Sequence, residues 1–383
     1  MIAQIPAARY PLAAMQEFLH INREDWLKRL PSTISLEKAD QILFGRLPGS
    51  RSHRPLFGPW KLLMRMDHPD AGKAAVQAHE DLAGGADGFV VTDADVVPKL
   101  RDFPLHALKL HNEAGDAGAE ALHKLIGVLP LDPSRLAVDF GAMSAKVARP
   151  LQAAGFAGPF MRADGRVGHA HGLSDGQELG AVLAQVLGCF RALDFLPDAQ
   201  LAGAVSVVLS ATQNAFKTLA KFRAMRLLWA SLLQHCGLPI TALKLHGETS
   251  RMMYATTDVH ANILRSVAAA FGAGLGGADS FCVLPFSQMQ GLSNGFARRV
   301  ARNLQHVMLR EAGLWHVEDP ASGAGFVEHE TQRLCGEAWT VMQNCERGDW
   351  PTGDRDQSAA RPIIGVERYI SSQVQPPEIE VAS

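Results

Sequence analysis

A chain of 383 residues with 47% hydrophobic and 20% charged residues has the make-up of a soluble protein with a sizeable core. That length is enough for two average domains or one large α/β barrel. The 37 basic residues nearly balance the 39 acidic ones, so nothing in the charge suggests a nucleic-acid partner or an anionic membrane surface. No apolar run is long enough to span a bilayer, and the N-terminus, broken by Pro6 and Pro11, lacks the charged-then-apolar order of a signal peptide. Cys189, Cys236, Cys282, Cys335 and Cys345 lie far apart with no Cys-x-x-Cys pair, and read as reduced thiols of a cytoplasmic protein rather than zinc ligands or a disulfide frame.

In chain order, residues 1–55 form an N-terminal extension, with a helical signal around Glu24–Arg29 and then a Gly/Pro/Arg-rich connector, LPGSRSHRPLFGP. From Trp60 short apolar runs bounded by turns alternate with longer amphipathic segments, the pattern of buried parallel strands joined by helices. The runs are Trp60–Met66, Gly88–Thr92, Ala107–His111, Leu136–Phe140, Pro159–Arg162, Ala204–Leu209, Ala242–Leu245 and Ser280–Leu284. Between the sixth and seventh, Phe216, Leu219, Phe222, Leu228, Trp229 and Leu232 fall near one face of a helix over Asn214–Leu233. Asp258 is placed to cap the next helix, whose apolar positions are Ile263, Leu264, Val267 and Phe271. Eight strands alternating with helices over about 240 residues predict a (β/α)8 TIM barrel across 56–345, with a doubly wound open sheet as the alternative. A last helix over Glu330–Cys345 precedes a tail, 346–383, with little core-forming pattern.

Three signals point towards chemistry and are read more plainly. Gly272-Ala-Gly274-Leu-Gly276-Gly277 has the letters of a dinucleotide fingerprint, but it follows a helix and precedes a strand, the reverse of the required order. It reads as a glycine-rich helix-to-strand turn. His169 and His171, with Asp95 or Asp139, could begin a metal site, but no third histidine has a telling spacing, and loop histidines in solvent fit better. Asp258-Val-His260 resembles the Asp-x-His-x-x-Gly motif that presents histidine to cobalt, but Ile263 stands where the glycine belongs and no cobalt-ligand role follows.

From about Gly168 to Cys345 the chain resembles the barrel of the methylmalonyl-CoA mutase family. Four stretches carry the resemblance: GLSDGQELGAVLAQVLGCFRALD (172–194), NAFKTLAKFRAMRLLWA (214–230), LKLHGETS (243–250) and FARRVARNLQHVMLREAGLWHVEDPASGAGFVEHETQRLCGEAW (296–339). The first half, including DLAGGADGFVVTDAD (81–95), matches more loosely. The resemblance implies a barrel that binds acyl-CoA along its axis, capped by a separate domain carrying adenosylcobalamin, with the protein orienting substrate and excluding solvent.

At the positions that would do this work the chain departs. The family's first-strand tyrosine falls on Arg65, its substrate-facing histidine on Val167, its sixth-strand arginine on Ala204 and its ribose-contacting glutamate on Ser287. Ser206 and His246 are kept, and the glutamine after the latter is Glu248. The pattern resembles the small subunit of heterodimeric mutases, which binds neither cofactor nor substrate. No catalytic residue is assigned beyond the weak candidates His246, Glu248 and Arg65, with Ser206, His246 and Glu248 as candidate substrate contacts and no metal ligands. The small subunit continues through a linker into a cobalamin-type domain, whereas this sequence ends at Ser383, so adenosylcobalamin is expected on a partner chain.

The leading expectation is therefore a non-catalytic partner of a catalytic large subunit that interconverts methylmalonyl-CoA and succinyl-CoA. The alternatives are the catalytic barrel of a split enzyme with a separate cobalamin-binding chain, where Arg65 would pair with an acyl carboxylate or phosphate, and a non-enzymatic acyl-CoA-binding barrel. Lys221, Arg223 and Arg226, and likewise Arg298, Arg299 and Arg302, are expected on solvated or interface helix faces rather than at a phosphate site.

Overall fold

The computed structural model describes residues 58–353 together with the short strand at 379–380. The N-terminal extension, its helical signal at Glu24–Arg29 and most of the tail lie outside the described residues. Strands β1 (Lys61–Met66), β2 (Gly88–Val91), β3 (Lys109–Asn112), β4 (Ala137–Asp139), β5 (Met161–Asp164), β6 (Val205–Ala211), β7 (Lys244–Thr249) and β8 (Ser280–Cys282) form one sheet in the order β4-β3-β2-β1-β8-β7-β6-β5. Every pairing in it is parallel, including β1 with β8. A bridge between Ala142 and Met161, with Phe140 donating its N–H to Pro159, joins β4 to β5 and completes the ring. The sheet closes into a (β/α)8 TIM barrel, as the alternation predicts, and the open doubly wound sheet is ruled out.

The helices follow from the sequence between strands. α1 (Ala71–Ala83) is capped by Asp70, and α2 (Gly115–Gly127) and α3 (Ala145–Ala153) cover β3 and β4. Between β2 and β3 the chain makes only 3-10 turns, Ala94–Asp102 and Leu105–Ala107, in a segment carrying Pro98 and Pro104; proline removes the donors that a longer α-helix needs. The one-and-a-half-turn α4 (Arg166–Ala170) precedes α5 (Asp175–Ala192), whose Ser174 and Gln177 form a reciprocal capping box. Then come α6 (Ala215–His235), α7 (Ala261–Leu275), α8 (Gly295–His306) and α9 (Gly325–Glu346), with β9 (Leu292–Ser293) pairing antiparallel to β10 (Ile379–Glu380). Asp258 does not cap α7: its backbone sits at φ 44° and it offers its carbonyl, not its carboxylate, to Ala261.

Of the glycine-rich run only Gly276 and Gly277 form the expected helix-to-strand turn, while Gly272 and Gly274 lie within the last turn of α7, and packing explains their presence. A Cβ on Gly272 would come 2.5 Å from the Ala215 carbonyl oxygen on α6, and one on Gly274 would come 2.5 Å from the Trp60 ring. Gly277 has φ 99°, which L side chains rarely adopt.

The two basic clusters are corrected by the structure. Lys221 is fully buried between Asp175 (3.0 Å) and Glu178 (2.8 Å), and Arg223 is held by Glu328 (2.7 Å) and Asp319 (2.9 Å). Arg226 pairs with Asp279 and donates to the Gly277 carbonyl, while Arg298 and Arg302 both grip the buried Asp81. Only Arg299 is exposed. A long basic side chain on a helix can be buried when a carboxylate from the neighbouring element meets it, and a carboxylate far away in sequence leaves no local trace.

Candidate functional site

In a barrel of this kind function is placed at the end where the strands' C-termini lead into loops. On that end Arg65 projects from β1 and meets Glu248 of β7 at 2.5 Å and Glu113, just beyond β3, at 2.9 Å. Arg166, at the start of α4, meets the same Glu113 at 2.6 Å and Glu248 at 3.1 Å, and Asp164 at 2.6 Å. Two guanidinium groups and two shared carboxylates thus form a closed ring across the barrel axis. Side-chain exposure is 10% for Arg65, 7% for Glu248 and 12% for Glu113, so these charges interact with little solvent screening. Burial works against ionisation of Glu113, but Arg166 and Arg65 outweigh it and hold the carboxyl well below its ordinary range. Glu248 and Glu113 in turn raise Arg65 above its ordinary value against the same burial cost.

The next layer down is also polar. His111 of β3 and His246 of β7 lie with ring centroids 4.3 Å apart, and His246 Nδ1 is 2.9 Å from the Ser280 hydroxyl. Asp139 of β4 meets Arg162 at 3.0 Å and His111 Nδ1 at 3.2 Å. Burial opposes the Asp139 charge, yet Arg162 and His111 keep it far below the carboxylate range, with Ser206 adding a weaker pull. Burial, then the positive neighbours, pushes both imidazoles below the usual 6.5, His246 the more strongly, so both are neutral near pH 7. Beside them Leu63, Val90 and Cys282 pack together, each fully buried. The axis is therefore filled at both levels.

Above the arginine ring lies a cleft of about 380 Å³, with Val167, His169, Ser250 and Met252 among its walls. His169 bonds the Ser250 hydroxyl (2.8 Å) and approaches Glu178 (3.5 Å), so it is not a solvent histidine, whereas His171 is exposed. Among the described residues no group of three or more His, Cys, Asp or Glu side chains is arranged to hold a metal.

The four residues singled out in the sequence all face the interior, but not as one site. Arg65 and Glu248 touch, while His246 and Ser206 belong to the layer below. His246 is not at a strand end, since β7 runs on to Thr249 and the ring bonds across to β8. Val167 lines the cleft, Ala204 sits buried at the opposite end before β6, and Ser287 is buried against Ser293. Glu113, Arg166, His111 and Arg162 were missed. The signal for the first and the last two was present in the alternation Lys109-x-His111-x-Glu113 and Arg162-x-Asp164, which puts a charged or polar side chain on one face of a buried strand at every second position, whereas Arg166 lies past the strand at the start of α4 and left no such trace.

The fold and its interior define a closed α/β barrel whose bore is occupied by its own paired charges. A family model described as methylmalonyl-CoA mutase matches residues 165–349. The chain is 37% identical over 371 residues to a protein named methylmalonyl-CoA mutase small subunit from Streptomyces virginiae, covering 88% of this chain and 60% of that one. It is 39% identical over 213 residues to a probable methylmalonyl-CoA mutase small subunit of Mycobacterium tuberculosis, covering 52% and 35% respectively. A methylmalonyl-CoA mutase of Rhizobium meliloti is 29% identical over 73% of this chain and 42% of its own length. The chain belongs to the methylmalonyl-CoA mutase family, and it spans at most about three-fifths of these relatives.

Proposed function

We propose that this chain is a non-catalytic, small-subunit-type barrel that stabilises a catalytic large subunit of a cobalamin-dependent acyl-CoA mutase. The observation that carries this reading is the ring of Arg65, Glu113, Arg166 and Glu248 across the mouth where acyl group and cofactor would have to meet. A substrate on the axis would have to break shared charge pairs in a poorly solvated place, and each group left unpaired there costs several kcal/mol, on the order of 3 to 5. A split enzyme would need Arg65 free for an acyl carboxylate or phosphate, but both carboxylates already engage it. An acyl-CoA-binding barrel would need an open bore, which Leu63, Val90, Cys282 and the histidine layer fill.

The residues at the cofactor end do not fit an adenosyl group either. Ser287, where the family resemblance implies a ribose-contacting glutamate, is fully buried and bonded to Ser293. Val167 offers no hydrogen bond in place of the family's histidine. Adenosylcobalamin, and the interconversion of methylmalonyl-CoA and succinyl-CoA, accordingly belong to the partner chain, and this chain works in the cytoplasm as half of a heterodimer. No helix among the described residues is long and apolar enough to cross a membrane.

Co-expression with a full-length catalytic mutase subunit tests this. A 1:1 complex on size exclusion, higher stability of the large subunit in it, and no heat of binding when the isolated chain is titrated with acyl-CoA are expected. Separate elution with a large subunit fully active alone would overturn it.

A further inference from the structure

The opposite, N-terminal mouth of the barrel carries a feature that the subunit role does not use. A small cavity of about 100 Å³ opens there between Lys109, Lys244, His246 and Ser280, with Gly158 and Pro159 on its rim. Its charge is positive. Lys244 is mostly buried and its ammonium donates to the Gly158 and Gly203 carbonyls, at 3.3 and 3.2 Å, rather than to a carboxylate. Among the described residues Lys109 makes no ion pair; burial holds Lys244 below its ordinary value, Asp139 pulls it back up and Lys109, more weakly, pushes it down. Asp139 lines the cavity too, but its charge is paired with Arg162 at 3.0 Å. His246 is fully buried, its Nδ1 is satisfied by Ser280, and its Nε2 has no hydrogen-bond partner among the described residues. Buried polar atoms of that kind are rare unless a ligand or water meets them.

We propose that this cavity is a binding site for one small oxyanion, held by the ammonium groups of Lys109 and Lys244 and by the His246 imidazole N–H. The chemistry is that of charge-assisted hydrogen bonds from lysine to phosphate-type oxygens. The histidine supplies a donor as the neutral tautomer protonated at Nε2, with Nδ1 accepting from the Ser280 hydroxyl. The cavity has room for a tetrahedral oxyanion. It does not lead to the upper cleft, because the His111–His246 layer and the Arg65 ring stand between. A long ester chain therefore has no path from one mouth to the other. The site fixes an internal charge balance: two lysines that repel each other at the foot of the barrel are bridged by the anion.

The test uses the full chain and inorganic phosphate in isothermal titration calorimetry at constant ionic strength, with chloride as the compensating ion. Saturable one-to-one binding is expected, weakened about tenfold or more by Lys244→Gln and by Lys109→Gln, since each removes one charged donor. The exposed Lys99→Gln at the other end should bind like the unaltered chain. Lys109, unlike Lys244, donates to no backbone carbonyl among the described residues, so its variant is expected to fold even if the Lys244 variant does not, and circular dichroism checks both. Absence of saturable heat, or equal affinity in folded Lys109→Gln, would overturn the proposal. So would tight binding of coenzyme A with none of phosphate, an outcome that also counts against the closed bore, whereas loss of phosphate binding alone leaves the subunit reading standing.

Discussion

Replacing Arg65 by methionine probes the ring that closes the barrel mouth. The substitution keeps an unbranched side chain of similar reach but removes the charge shared by Glu248 at 2.5 Å and Glu113 at 2.9 Å. Breaking a buried ion pair by deleting one partner costs about 3–5 kcal/mol. The lower end, about 3 kcal/mol, applies because Arg166 still touches both carboxylates, at 2.6 and 3.1 Å. An unfolding entropy of about 2 cal/mol/K per residue over the described barrel turns this into a fall of about 5 °C in Tm. The pH dependence fixes the cause. Glu113 has a folded pKa depressed below its ordinary 4.5, so its contribution is present above that pH and is lost as pH falls towards the folded value. In the variant the Glu113 pKa rises but Arg166, its stronger partner, still holds it down, so that contribution shrinks and the gap between the two proteins should narrow below about pH 4.5. Urea melts at pH 7 and pH 3.5, with calorimetry for Tm, read both effects. An Arg65→Met protein as stable as the unaltered chain at pH 7, or a gap that widens in acid, would refute the idea that the ring holds the mouth shut.

Other perturbations test the remaining layers. Lys221→Met leaves Glu178 fully buried without its lysine partner and should cost about 3–5 kcal/mol in denaturant melts, far more than an exposed lysine would. His246 is held below its ordinary 6.5, so the unfolded chain takes up a proton that the folded chain refuses; stability is full above that pH and declines as pH drops below it. His246→Gln should flatten that part of the stability profile, and an unchanged slope would show that the histidine layer is not what titrates. Tyr254 donates its hydroxyl to the Leu284 carbonyl (2.7 Å) and lies within hydrogen-bond distance of the Ser266 (2.6 Å) and Thr249 (3.2 Å) hydroxyls, so Tyr254→Phe should lower stability by about 1–3 kcal/mol without altering the fold seen by circular dichroism.

The barrel was legible because parallel strands covered on both faces write themselves as short apolar runs, and each of the runs read from the sequence overlaps an observed strand. The largest shift is at β7, where the apolar part, Ala242–Leu245, is only the foot of a strand that continues through His246, Gly247 and Glu248. Polar residues ended the run in the sequence, but in the molecule they point into a bore that is itself polar. The site was less legible for the same reason. Arg65 and Glu248 are 183 positions apart, and no periodicity says that a guanidinium on the first strand will meet a carboxylate on the seventh. Barrel closure makes that contact, since β1 lies beside β8 and β8 beside β7.

The locations of the matched stretches explain how a chain can belong so plainly to a catalytic family while its axis is closed. Their charged residues bind one another: Glu178 and Asp175 in the first stretch hold Lys221 in the second, and Arg223 in the second holds Asp319 and Glu328 in the fourth. Arg298 and Arg302 of the fourth stretch reach back to Asp81 on α1. These contacts fasten α5, α6, α8 and α9 around the sheet, and none of them lies in the bore. What the resemblance recognises is therefore mainly the clamp that builds the scaffold. Only in the third stretch does the match fall on the interior, at His246 and Glu248, where one residue sits in a neutral histidine layer and the other is bound by two arginines. A scaffold maintained by its own ion pairs is free to change its bore without losing its shape.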